Sequence, residues 1–78
     1  MSIEQFIPKL ADAIEADAAS LSPDVEYKKL PMWDSLNALA LIALADAEYD
    51  VTVTGRDIEA TATIQSLWDL IESKGRKP

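Results

Sequence analysis

Apolar residues at Ile3, Ile7, Leu10 and Ile14, with Phe6 alongside, recur at the spacing of one helix face and predict an amphipathic helix over residues 3–17. Ser2 and Gln5 fit a capping box at its start. Pro8 lacks an amide donor in the second turn, so the pattern predicts a kink there or a true start at residue 7 or 8. Periodicity is lost from Ala18 to Met32, where Ser20, Ser22-Pro23-Asp24 and Leu30-Pro31 supply turn and breaker signals. A connection of about fifteen residues is long for a helix-helix link and needs anchors of its own. Val25, Tyr27, Leu30 and Trp33 are the apolar residues placed to provide them.

Residues 35–47 read Ser-Leu-Asn-Ala-Leu-Ala-Leu-Ile-Ala-Leu-Ala-Asp-Ala, with Asn37 the one strongly polar side chain before Asp46. Alanine and leucine favour helix over strand, and Asp34 is a good N-cap, which puts Ser35 in the first turn. Tyr49 to Gly55 has strand propensity but is short and isolated, so an extended loop is expected, followed by one helical turn over Asp57 to Ala60. Thr63 then caps a helix with Ile64, Leu67, Trp68 and Ile71 on one face, closing at Lys74-Gly75. The expected fold is all-α: a three-to-four-helix bundle in one domain over residues 1–78, with 76–78 a frayed tail. Because the second helix is apolar nearly all round, it is expected to be the central, most buried element, with Leu39 and Ala43 inside and Leu36, Ala40 and Leu41 left exposed.

Composition narrows the chemistry. Seventy-eight residues support one small core and no deep active site. Histidine and cysteine are both absent, which removes Ser-His-Asp and Cys-His nucleophilic systems and the common zinc sites. Lys28 and Lys29 lie in a polar segment and do not suit a desolvated Ser-Lys pair, so no enzyme is expected. The net charge of -7 disfavours nucleic acid and anionic membranes and favours basic protein partners. The N-terminus carries no signal-like segment, and the apolar run after Ser35 is about half of what a membrane span needs, so a cytoplasmic monomer is expected. Asp46, Glu48 and Asp50 have the alternation of a calcium loop, but Val51 stands where glycine is needed and the final glutamate is missing, so no metal site is expected. With glycine only at positions 55 and 75, no phosphate-cradling loop exists.

Asp34-Ser35-Leu36 opening a helix, Glu48-Tyr49-Asp50 at its end, extended Val51-Thr52-Val53 and then Thr63-Ile64-Gln65-Ser66-Leu67 form an ordered series. In order and spacing it resembles the acyl carrier proteins over essentially the whole chain. The resemblance implies a non-catalytic carrier. A phosphopantetheinyl transferase would esterify Ser35 with 4′-phosphopantetheine from coenzyme A, with Asp34 and Leu36 flanking the attachment point. A helix N-terminus favours an attached phosphate, which is compatible with that role. Implied partners are acyl-transferring or acyl-activating enzymes with basic docking patches, meeting Leu36, Asn37, Ala40, Leu41, Asp46, Glu48, Arg56 and Asp57. A gap among the helices would shelter the acyl chain.

Relative to the common fatty-acid carriers, this chain has Asn37, Ala40 and Ala47 where acidic residues are frequent, and Gly55-Arg56 near the short helix. Asp46, Glu48, Asp50, Asp57 and Glu59 remain as an acidic face. Charge complementarity sorts partners, so a specialised carrier is expected rather than a housekeeping one. Two other readings stand beside it: an aminoacyl carrier of D-alanyl type, and an unmodified adaptor that uses the same helix face to bind a protein.

Overall fold

A computed structural model describes residues 2–75, so the tail expected at 76–78 lies outside the described residues. Four α-helices follow one another: α1 over Ile3–Ala13, α2 over Ser35–Tyr49, α3 over Gly55–Ala60 and α4 over Ile64–Gly75. Single 3₁₀ turns at Ala18–Ser20 and Tyr27–Lys29 interrupt the long α1–α2 connection, and no strand occurs among the described residues.

Helix α1 starts at Ile3, continues through Pro8 and stops four residues short of the expected end. Glu4 and Pro8 are both exposed, so the carbonyl that loses its amide partner lies on the wet face. The stop comes from Glu15, which takes the left-handed conformation at φ 57°, while the Ala16 amide reaches back to the Ala11 carbonyl at 2.8 Å. That is a Schellman turn made without glycine, which the sequence did not signal. Ser2 sits at the N-cap position but makes no side-chain capping bond, so the expected box with Gln5 is not formed; the Gln5 and Phe6 amides use the Ser2 carbonyl instead. Asp50 ends α2 in the same left-handed way, at φ 54°.

The core is organised by aromatic rings from three helices. Phe6 of α1 stacks on Trp68 of α4 with centroids 5.1 Å apart, and Tyr49 of α2 meets both rings edge-on. Leu10, Ile14, Leu41, Ala45, Ile64, Leu67 and Ile71 close around them, with Val51 and Val53 of the extended segment buried alongside. Helix α2 is not the most buried element. It turns only Leu41, Ala45 and Tyr49 fully inward, whereas Leu39 is 61% exposed and Ala43 is exposed.

The long connection is pinned rather than loose. The Pro23 and Val25 carbonyls accept from the Gln65 and Ile64 amides, satisfying donors at the start of α4 that have no partner within the helix. Lys28 donates to the Ile58 and Glu59 carbonyls at the end of α3. Tyr27, fully buried, places its hydroxyl 2.6 Å from the Thr61 Oγ1 and its ring edge-on to Trp33. Burial pushes the Tyr27 phenol up from its ordinary range, with the Thr61 bond opposing. The radius of gyration, 11.3 Å, matches the roughly 11–12 Å of a compact chain of this length, as a folded-in connection requires.

Candidate functional site

Asp34 sets the site. Its extended backbone lets its Oδ1 accept from the Asn37 amide at 2.9 Å while its carbonyl accepts from Ala38, which starts α2 at Ser35. Ser35 is exposed in that first turn, where the Ser35 and Leu36 amides have no acceptor within the helix. The start of a fifteen-residue helix carries a partial positive charge there, so the position suits a phosphoester in geometry and in potential. The carboxylate of Asp34 is the one opposing charge in the turn.

Beside the serine, Leu36 is 72% exposed, and Leu39 and Met32 (38%) add apolar surface. Leu36 therefore stands where the sequence placed it. Leu41 does not: it is fully buried beneath α2, and it leaves the exposed set. Leu39, expected inside, takes its place outside. Ala40 is half-buried, on the side of α2 that faces α1.

The polar residues expected to meet partners divide into free and engaged. Asp46 and Arg56 are exposed and form no ion pair among the described residues, and the same holds for Asp50 and Glu59. Asn37 is occupied, donating through Nδ2 to the Met32 carbonyl and holding the end of the long connection against α2. Glu48 pairs with Lys9 of α1 at 2.8 Å, and the same ammonium lies 5.3 Å from the Tyr49 ring centroid. The hydrogen bond to Glu48 is the main cause that raises the Lys9 pKa.

Asp57 is structural as well. It forms a capping box with Thr54 and bonds Lys74 of α4 at 2.6 Å, while Lys74 also donates to the Thr52 carbonyl. The Lys74 ammonium, then the Thr54 amide, hold the Asp57 carboxyl below the usual carboxylate range. A depressed folded-state pKa gives stability that is present above the unfolded value of about 3.9 and is lost as pH falls through the folded one. Asp57→Asn is therefore expected to lower the melting temperature at neutral pH and to converge on the parent at acid pH. A constant offset across the titration would show that the pair carries none of the acid sensitivity.

A trough runs between α1 and α2, away from the core. Its upper section, about 380 Å³, lies between Ile14 and Glu15 on one side and Met32, Asp34 and Leu36 on the other. Its lower section, about 430 Å³, is lined by Lys9, Asp12, Ala43, Leu44 and Glu48. Ala13 and Ala40 line both sections. Among the described residues no group of three or more acidic, histidine or cysteine side chains is arranged to hold a metal, and no helix is long and apolar enough to cross a membrane.

No family model matches the chain. Over 71 residues, 91% of this chain and 82% of the relative's length, it is 27% identical to the polyketide-8 synthase acyl carrier protein 2 of Streptomyces avermitilis.

Proposed function

We propose that this chain, which resembles the acyl carrier proteins in motif order, helical architecture and sequence, carries acyl groups as thioesters on a 4′-phosphopantetheine arm esterified to Ser35. The observation that carries the reading is the exposed Ser35 hydroxyl in the first turn of α2, held there by the Asp34 cap. The arm supplies a terminal thiol on a flexible tether. The chain's own residues would bind and orient it: the Ser35 and Leu36 amides, without acceptors in the helix, would be available to the phosphoester, Asp34 fixes the turn, and Leu36 offers apolar contact beside the attachment point. In the loading step the Ser35 oxygen bonds to the phosphorus next to pantetheine as the pyrophosphate bridge of coenzyme A breaks. Adenosine 3′,5′-bisphosphate leaves, and the hydroxyl proton goes to a base of the transferase.

The relative's polyketide assignment and the sparse acidic complement of α2 both favour polyketide or other specialised acyl assembly over housekeeping fatty-acid synthesis. Partner enzymes would meet a mixed surface. Leu36 and Leu39 suit an apolar pocket, and Asp46 and Asp50 suit flanking basic residues. The chain would act as a cytoplasmic monomer.

Intact-mass analysis after incubation with coenzyme A, magnesium and a promiscuous phosphopantetheinyl transferase tests the proposal. A gain of one phosphopantetheine that is absent in Ser35→Ala is the expected result. No gain under conditions that modify a standard carrier would overturn it and leave the unmodified adaptor.

A further inference from the structure

From the α1–α2 trough we infer a resting site for the arm: it folds back from Ser35 along this face and brings its thiol toward the Lys9–Glu48 bridge. The inference rests on the carrier reading and adds the place where the arm lies between deliveries.

Position comes first. Asp34 and Leu36, the two neighbours of Ser35, line the upper section, so a group tethered to the exposed Ser35 starts beside it. The lining residues of α2 are Leu36, Asn37, Ala40, Ala43, Leu44 and Glu48, which recur at helical spacing along one face, so the trough follows the helix axis. From Leu36 to Glu48 that axis rises about 18 Å. Pantetheine beyond its phosphate is a chain about as long as four residues of extended backbone, or roughly 15 Å, so the extended arm reaches past Ala40 into the lower section.

Chemistry agrees with length. Ala13 and Ala40, which line both sections, with Leu36 and Leu44, give apolar contact for the dimethyl group and methylenes. The rim is mostly carboxylate: Asp34 and Glu15 above, Asp12 and Glu48 below, with Lys9 the one cation. Pantetheine presents two amide N–H groups and a hydroxyl as donors, which carboxylates accept, and two amide carbonyls that an ammonium can meet. At the far end the 2.8 Å Lys9–Glu48 pair ties α1 to α2 across the trough. Four carboxylates against one ammonium also select what the arm holds there, favouring neutral cargo and repelling a free acid.

The test uses the full chain loaded with a nitroxide-bearing pantetheine arm, read by amide NMR against the same sample with the nitroxide reduced. Mass gain confirms loading. The expected result is loss of the amide signals of Lys9, Ala13, Ala43, Leu44 and Glu48, with Val53 and Ile58 unaffected. Ala43→Leu, at an exposed helix position where leucine keeps the helix, is expected to restore the lower-trough signals by filling the groove. Loading with signal loss confined to the first turn of α2, or centred on α3, would overturn the resting site and leave the carrier reading intact. Absence of mass gain would overturn both.

Discussion

Tyr27→Ala is expected to lower the melting temperature more than any other single truncation in the α1–α2 connection, by roughly 12–40 °C. Replacing a fully buried aromatic by alanine costs about 3–5 kcal/mol, and a domain of this size loses about 4–8 °C per kcal/mol. The total stability expected of 78 residues is about 4–12 kcal/mol, so the low end of that range leaves the variant unfolded at room temperature. The cost is concentrated at Tyr27 because it joins three parts of the molecule. Its ring packs on Trp33 just before the Asp34 cap, its hydroxyl meets Thr61 after α3, and Lys28 next to it caps that helix. Losing the ring releases the segment that fixes the start of α2, so the serine loses its setting along with the core. Tyr27→Phe keeps the ring. Thr61 Oγ1 keeps the Asp57 and Ile58 carbonyls as acceptors, so its cost is about 1 kcal/mol. Thermal melts followed by far-ultraviolet circular dichroism separate the two; equal shifts for both variants would show that the ring does not anchor the connection.

This anchor was legible in the sequence as one of four apolar residues in a stretch without periodicity, and all four are buried or half-buried. Its partners were not legible. Thr61 and the Ile58 carbonyl lie more than thirty residues away, and no local pattern announces a hydrogen bond across that separation. The starts of α2 and α4 are legible at Asp34 and Thr63, because the cap bond is local chemistry; α3 starts at Gly55, two residues ahead of the expected turn, because Thr54 caps it through a box with Asp57. The end of α1 is not legible in the sequence because Glu15 makes the left-handed turn that glycine or asparagine usually makes. The site divides the same way: the exposure of Ser35 and Leu36 follows from position in the first turn, while the engagement of Glu48 and Asp57 depends on which helices come to lie beside them, and that of Asn37 on how the end of the connection folds against α2.

The phase of α2 gives the sharpest contrast, and it sets the second large effect: Leu41→Asp is expected to unfold the chain, and Leu39→Asp to leave its melting temperature nearly unchanged. Eleven of the first thirteen residues of α2 are not strongly polar, so hydrophobicity alone does not choose between Leu39 and Leu41. Tertiary packing chooses, through the largest side chain on the helix. Tyr49 is held by Phe6 and Trp68, and stepping back four residues at a time from it gives Ala45 and then Leu41 on the same inward line. Asp46, seven residues from Leu39, marks the opposite stripe as outward. At Leu41 an aspartate forfeits about 2–3 kcal/mol of apolar burial. Placing an unpaired carboxyl in the core costs several kcal/mol more, which together equals or exceeds the stability available. At Leu39 the new carboxylate meets water, and its effect on folding stays within about 0.5 kcal/mol. Its effect on docking is larger, since it puts a charge into the apolar patch shared with Leu36. Melting curves of the two variants decide the phase directly. A Leu39→Asp variant that melts as low as Leu41→Asp would mean that α2 is turned the other way and that the surface proposed for partner enzymes lies inside the bundle.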